Sequence, residues 1–120
     1  MRLAIACFLA PALLMMACPA LAATGEEVFN GNCADCHALD PAAGQTAPPL
    51  RGVVGRKIAS VTGFAYSDAL KGKDGETWTQ ANLEAFLADP QGFAPGTGMY
   101  GGVSDASDRK AVIDYLAAQK

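Results

Sequence analysis

Histidine is almost absent from this 120-residue sequence, which contains His37 alone, and cysteine and methionine occur only four times each. A structural zinc site generally needs four ligands drawn from Cys, His and carboxylate side chains. The low content of Cys and His therefore offers little material for one. Basic residues are also few, with nine Lys and Arg against twelve Asp and Glu and a net charge of −3. They form no cluster of the kind that binds nucleic acid, so a nucleic-acid partner is not expected.

The first 22 residues have the features of a secretory signal peptide. Arg2 gives a positive start, Leu3–Leu14 is almost wholly apolar, and Ala20-Leu21-Ala22 has the small-x-small form of a signal-peptidase site. We therefore expect cleavage of residues 1–22, export to a bacterial periplasm and a mature domain that spans residues 23–120.

Two other fates of this leader stay open. The uncharged segment Leu3–Ala23 is long enough to span a bilayer as an anchor. Pro11 and Pro19 interrupt it, however, and no linker separates it from the predicted domain. Cys18 could instead be acylated as in a lipoprotein, although Met15 stands where such signals usually have leucine.

Cleavage would leave few candidate metal ligands. Two of the four cysteines and three of the four methionines lie in the leader, so the domain keeps Cys33, Cys36, His37 and Met99. It also keeps eight basic residues against all twelve acidic ones, a net charge of about −4. So small a domain often depends on a bound cofactor to complete its core.

Helical signals lie at the two ends of the domain. Thr24 and Glu27 have the spacing of a capping box, which predicts a first helix that continues to about Cys36. Leu39–Gly63 is rich in Pro and Gly, and so long a loop is expected to wrap a bound group. Further helices are predicted over Tyr66–Lys71, from Thr77 or Thr79 to Asp89, and from Ser104 or Asp105 onward, with Gln91–Gly102 as a loop. The pattern predicts an all-α domain of about four short helices and long loops.

Cys33-Ala34-Asp35-Cys36-His37 is a CxxCH motif. Two thiols about one helical turn apart can each add to a vinyl group of one porphyrin, and His37 then presents an imidazole to the iron. A redox dithiol or half of a zinc site would use the same residues, but no βαβ pattern is visible, and residues 23–120 lack a fourth favoured zinc ligand. We expect one covalent haem c on Cys33 and Cys36, with His37 as an axial ligand.

Met99 is the candidate for the second axial ligand. Methionine more often fills a hydrophobic core. Met99, however, lies in the flexible segment Pro95-Gly96-Thr97-Gly98-Met99 and is the only methionine left after cleavage. Ligation by His and Met leaves no open position on the iron for oxygen or peroxide, so it favours electron transfer over catalysis.

The sequence resembles the class I cytochromes c, in particular the branch of mitochondrial cytochrome c and bacterial cytochrome c2. The resemblance covers essentially the whole of residues 23–120 and implies the class I cytochrome c fold around one covalent haem. It is carried by Gly25-x-x-x-Phe29-x-x-x-Cys33-x-x-Cys36-His37, Pro48–Gly52, Gly55-Arg56-Lys57, Gly63-Phe64-x-Tyr66–Ala69, Trp78, Pro95–Met99 and Val112–Leu116.

The resemblance also implies roles for residues around the haem. The Pro48 carbonyl would accept the second imidazole N–H of His37 and fix the ring. Arg56, Tyr66 and Trp78 would donate hydrogen bonds or charge to a haem propionate, which a partly buried carboxylate needs. The remaining implied roles are a place in the haem pocket for Thr97 and a crossing of the terminal helices formed by Gly25, Phe29, Val112 and Tyr115.

Three departures from the family pattern affect its details. Phe86 replaces a tyrosine whose hydroxyl reaches the methionine sulfur, and Leu70 replaces an asparagine that helps to hold a buried water. Both changes predict a drier methionine side and an altered redox potential. Gln91, Gly92 and Gly98 replace lysines at the exposed haem edge, so docking through a lysine ring is not expected.

The predicted protein is a soluble, monomeric electron carrier of the periplasm and not an enzyme. Its donor and acceptor would be redox proteins such as a membrane cytochrome complex, an oxidase, a reaction centre or a dehydrogenase. No stable insertion into the membrane is expected after cleavage. The alternatives are a cytochrome subunit or haem domain that serves a dehydrogenase or peroxidase-type enzyme, and a thiol or metal module without haem.

Overall fold

The computed structural model describes Cys18 and residues 20–120, so most of the predicted leader lies outside the described residues. The described chain contains five helices: α1 (Gly25–Asn32), α2 (Asp68–Lys71), α3 (Gln80–Ala88), α4 (Pro90–Phe93) and α5 (Ala106–Ala118). Its only β-type pairing is an isolated bridge between Lys57 and Thr77, and the all-α prediction is confirmed. Over this same part of the chain, every helix is too short or too polar to cross a membrane.

The predicted capping box begins α1. Thr24 Oγ1 accepts a hydrogen bond from Glu27 N at 3.2 Å, and Glu27 Oε2 accepts one from Thr24 N at 2.7 Å. The helix ends at Asn32, earlier than the predicted Cys36. The helix ends there because the chain forms tight turns from Cys33 onward. In these turns the Cys33 carbonyl accepts hydrogen bonds from Cys36 N at 3.1 Å and from His37 N at 2.8 Å.

Side-chain caps also decide where α2, α3 and α5 begin. Ser67, Thr79 and Asp105 each accept a hydrogen bond from the backbone N–H three residues later, as N-cap residues do. Of the two starts that the sequence allows for each helix, Thr79 and not Thr77 caps α3, and Asp105 and not Ser104 caps α5. Helix α2 begins at Asp68 and not at Tyr66, because Ser67 is its cap.

The sequence expectation of a continuous loop over Gln91–Gly102 is wrong. Asp89 ends α3, and its side chain then accepts a hydrogen bond from Gly92 N at 3.0 Å to cap α4. Pro90 occupies the first turn of α4, where its missing N–H would have had no partner in any case. The same Asp-Pro pair thus ends one helix and begins another, which gives five helices instead of about four.

The terminal helices cross as predicted. Gly25 of α1 lies directly against Ala111 and Tyr115 of α5. The rings of Phe29 and Tyr115 are 5.7 Å apart between centroids, and Val112 is completely buried. This contact joins the two ends of the described chain into one core.

Arg109 connects α5 to α3 and to the segment between α4 and α5. Its Nε lies 2.5 Å from Glu84 Oε1, and its Nη1 donates to the carbonyls of Val103 and Ser104, both at 2.9 Å. The side chain is only 14% exposed. The arginine therefore ties three separate segments together.

Residues 33–67 contain no helix, in agreement with the long loop predicted there. The loop is attached to the segment before α3, because Trp78 N donates to Arg56 O and Gly55 N donates to Trp78 O, each at 2.8 Å. Ile58, which is fully buried, donates from its N to Glu76 O at 3.0 Å. These bonds place Arg56 and Trp78 next to each other.

Candidate functional site

A cavity of about 420 Å³ lies between the long loop, α3, α5 and the segment that follows α4. Its volume falls within the range of about 300–1,000 Å³ that is usual for small-molecule and cofactor sites. Its wall is mainly apolar, and the aliphatic and aromatic side chains that form it include Leu50, Val53, Leu70, Leu83, Phe86, Leu87, Val112 and Leu116. The chain therefore keeps a large apolar space where a small domain would otherwise have its core.

The structure brings all of the sequence-predicted site residues to this one cavity. They come from the turn after α1, from the long loop, from the segment before α3 and from the loop after α4. The residues are Cys33, Cys36, His37, Pro48, Arg56, Tyr66, Trp78, Thr97 and Met99. Their proximity is a finding, and their individual roles toward a cofactor stay predictions.

His37 is held in one tautomer by the backbone. Its Nδ1 lies 2.7 Å from the carbonyl oxygen of Pro48. A carbonyl can only accept, so Nδ1 carries a proton, and a neutral ring then has its lone pair on Nε2. Burial lowers the pKa of His37, and the charge of Arg56 adds to this effect, while the bond to Pro48 opposes it. The result is a neutral imidazole with one nitrogen available to a metal.

The two cysteines of the motif have different environments. Cys33 is buried, and burial raises the pKa of its thiol to about 11. Cys36 is exposed, and neither thiol forms a disulfide within the described residues. The cavity is therefore bordered by one thiol from the core and one from the surface.

Met99 reaches the cavity from a loop that folds back on itself. Thr97, which is almost fully buried, accepts at Oγ1 from Met99 N at 3.3 Å and donates its own N–H to Ala94 O at 3.0 Å. Gly96 has φ +85°, in the left-handed region that glycine adopts readily. These features turn the chain so that Met99 is half-buried at the cavity wall.

Gln91, which stands where the family pattern has a lysine, supports the same loop. Its Nε2 donates to Thr97 O at 2.9 Å, and its Oε1 accepts from Gly96 N at 3.1 Å. A longer contact of 3.5 Å joins Nε2 to Met99 O. No sequence spacing indicates these bonds, because they depend on how the loop folds back over α4.

The polar groups of the cavity suit a carboxylate. Arg56 is half-buried and donates from Nη2 to Pro49 O at 2.9 Å. Among the described residues it forms no ion pair with an acidic side chain, and burial lowers its pKa. Tyr66 Oη accepts from Val61 N at 3.1 Å, which leaves its hydroxyl proton free to donate. A buried anion would find both a charge and a donor here.

Taken together, these groups fit a haem. The apolar wall suits the macrocycle, Arg56 and Tyr66 suit its propionates, and the thiols, imidazole and thioether are the groups that bind haem c. Within Cys18 and residues 20–120, no three His, Cys, Asp or Glu side chains are close enough to hold a metal ion together. The alternative of a zinc site therefore finds no support in these residues.

The two apolar departures from the family pattern both lie in the cavity wall. Phe86 and Leu70 are buried. The ring of Phe86 packs against Trp78, with centroids 5.1 Å apart, and against Phe93 at 5.5 Å. No hydroxyl or amide is therefore supplied at either position.

Comparison with known proteins agrees with this geometry. The model of the family described as Cytochrome c matches residues 22–120. Cytochrome c type-1 of Ascaris suum is 40% identical over 94 residues, which covers 78% of this chain and 83% of that protein.

Solved structures resemble the chain over a similar length. Cytochrome cH from Methylobacterium extorquens is 43% identical with a TM-score of 0.68, and the match covers 78% of this chain and 94% of that one. Ferricytochrome c2 from Rhodopseudomonas palustris is 34% identical with a TM-score of 0.71, over 80% of this chain and 96% of that one.

Proposed function

Because the chain belongs to the cytochrome c family, we propose that it is a soluble periplasmic electron carrier with haem on Cys33 and Cys36 and iron bound by His37 and Met99. Membership of the family carries with it one covalent haem c and the general role of an electron carrier among redox proteins. The finer proposal depends mainly on one observation, the meeting of these four residues at a single apolar cavity.

Each of the four residues has a distinct task in this proposal. Cys33 and Cys36 hold the haem through thioether bonds, so a small domain does not rely on burial alone to retain it. His37 Nε2 is the proximal ligand, and the bond from Nδ1 to Pro48 O fixes the ring and makes Nε2 a better donor. Met99 contributes its thioether sulfur as the second axial ligand. The bound haem supplies a one-electron iron couple.

The same arrangement favours electron transfer over catalysis. With His37 and Met99 both bound to the iron, the haem would have no position left for oxygen or peroxide. The apolar wall formed by residues such as Leu83, Phe86 and Leu87 keeps water away from the site. Arg56, Tyr66 and Trp78 would stabilise the propionates by charge and hydrogen bonds, and Thr97 would form part of the haem pocket.

Export is part of the proposal. The match to the family begins at residue 22, and the cap of α1 follows at Thr24, which agrees with a cleavage site after Ala22. Amino-terminal sequencing and intact mass of protein from the periplasmic fraction test this directly. A start at Ala23 supports release. A mass that includes residues 1–22 contradicts release. A lipid that is present on the unaltered protein and absent from Cys18→Ser also contradicts it.

The proposed donors and acceptors are a membrane cytochrome complex, an oxidase, a reaction centre or a dehydrogenase. The residues beside Met99 at the cavity are uncharged: Gly98 precedes it, and Tyr100, which is 85% exposed, and Gly101 follow it. Attraction between a lysine ring and an acidic partner is therefore not the basis of recognition at this edge.

Mass and absorption spectra of the purified holoprotein test the haem site. We expect one haem that stays attached after denaturation, and a near-infrared Met–Fe(III) band in the oxidised protein. Met99→Ala should abolish that band, whereas Tyr100→Ala, a change at the exposed neighbouring position, should retain it. Colourless protein, or a Met99→Ala variant with an unchanged spectrum and midpoint potential, would contradict the proposal.

Reaction with external ligands separates a carrier from a peroxidase-type enzyme. If His37 and Met99 fill both axial positions, the reduced protein should bind carbon monoxide slowly and weakly. The Met99→Ala variant should bind it readily, because one position is then open. Rapid binding by the unaltered protein would favour the enzymatic alternative.

A further inference from the structure

Both ends of the Gln91 amide are bonded to the loop that carries Met99. The neighbour of one end is Gly96 N, which can only donate, and that of the other is Thr97 O, which can only accept. These partners fix the orientation of the amide, with Oε1 toward Gly96 and Nε2 toward Thr97. The weaker contact from Nε2 to Met99 O, at 3.5 Å, extends the link to the methionine itself.

We infer that Gln91 is a positioning residue that holds the Met99 loop closed and slows the departure of the methionine from the iron. The inference rests on the proposed ligation of iron by Met99. Gln91 lies in α4, which the Asp89 cap and Pro90 fix in place. The amide therefore joins the loop that carries Met99 to a capped helix.

No other charged or polar side chain of similar length reproduces both bonds. A glutamate retains an acceptor for Gly96 N but, when ionised, places an oxygen opposite Thr97 O. A lysine supplies a donor for Thr97 O but no acceptor for Gly96 N. Gln91→Glu and Gln91→Lys therefore each remove one of the two bonds, and Gln91→Ala removes both.

The test is the rate at which added imidazole displaces Met99 from the iron in the oxidised holoprotein. The loss of the near-infrared band measures this rate. Each rate is compared with that of the unaltered protein. For Gln91→Ala we expect displacement about five- to thirtyfold faster, the effect of losing two neutral hydrogen bonds. Gln91→Glu and Gln91→Lys should fall between Gln91→Ala and the unaltered protein.

Asn82→Ala provides a matched control. Asn82 Nδ2 donates to Thr77 O at 2.8 Å, a half-buried bond of the same kind that lies outside the Met99 loop. This variant should lose stability but keep the displacement rate of the unaltered protein. Gln91 is not a positioning residue if its variants react at the same rate as Asn82→Ala.

The outcomes also separate this inference from the proposed ligation. A near-infrared band absent from the unaltered protein, or retained in Met99→Ala, overturns the ligation by Met99. A band that depends on Met99 but is displaced equally fast in all variants overturns only the role of Gln91. If Gln91→Ala yields no folded holoprotein, Gln91→Glu decides the question by the same measurement.

Discussion

Gly25 and Tyr115 are in such close contact that a Cβ atom added to the glycine would lie 2.5 Å from the Cβ of Tyr115. The same added atom would also meet the carbonyl oxygen of Ala111. We expect Gly25→Ala to force α1 away from α5 and to lower the free energy of unfolding by about 1–3 kcal/mol, the usual cost of overpacking. Thermal or urea unfolding of the holoprotein measures this change.

Gly31→Ala is the control for helix propensity. Gly31 also lies in α1, but apart from the backbone of its own helix and its two chain neighbours nothing would lie within 4 Å of an added Cβ. Alanine is favoured over glycine inside a helix by about 0.5–1 kcal/mol, so this variant should be equally or more stable. Equal losses in the two variants would show that close packing at Gly25 does not hold the helices together.

Arg109 offers a second test of the links between helices. Arg109→Gln removes the bonds to Glu84, Val103 and Ser104 and leaves partly buried acceptors without a partner. The expected loss of stability is about 1–3 kcal/mol by urea unfolding. Lys110→Gln breaks only the exposed pair with Asp114 and should cost less than about 0.5 kcal/mol. Similar losses of stability for the two changes would contradict the role of Arg109 in linking the helices.

The apolar wall beside the methionine predicts a change in redox potential on Phe86→Tyr. A hydroxyl donated to the Met99 sulfur would make it a poorer donor to oxidised iron and would therefore raise the midpoint potential. A hydrogen bond of about 1 kcal/mol corresponds to about 40 mV for one electron. Phe93→Tyr is the control, because Phe93 packs against Phe86 outside the cavity wall. A redox titration with no shift for Phe86→Tyr would refute this interpretation.

Loss of haem should unfold the domain. Without haem, the apolar wall of this cavity of about 420 Å³ would face water instead of the porphyrin, so the domain would lose a large part of its buried apolar surface. Native domains have only about 5–15 kcal/mol of stability to offset such a loss. We expect the protein produced without haem attachment to show little helical circular dichroism and rapid amide exchange. A cooperatively folded haem-free chain would contradict this expectation.

Local patterns in the sequence were sufficient for much of this architecture. The capping box of Thr24 acts over three positions, so its geometry follows directly from spacing. Spacing placed the caps of α3 and α5 to within two residues and left the choice of Thr79 and Asp105 to the folded chain. The gathering of the site residues at one cavity agrees with the resemblance to cytochromes c. Their ligand roles stay predictions until they are tested.

Three features of the structure differ from the sequence expectations or go beyond them. Helix α4 was missed because Asp89-Pro90 was interpreted only as a helix end, although Asp before Pro is also a signal for a helix start. The role of Gln91 was missed because its partners belong to a loop that folds back on it. The early end of α1 at Asn32 depends on turns that the motif adopts in the folded chain.

The burial of Cys33 has a consequence for the biogenesis of the protein. In the folded domain only 8% of this residue is exposed, so an assembly enzyme could not approach its sulfur. If Cys33 carries the haem as proposed, its bond to the porphyrin must therefore be made before the domain has finished folding. Folding then becomes the final step of maturation, and a chain without its cofactor would stay unfolded and open to proteases.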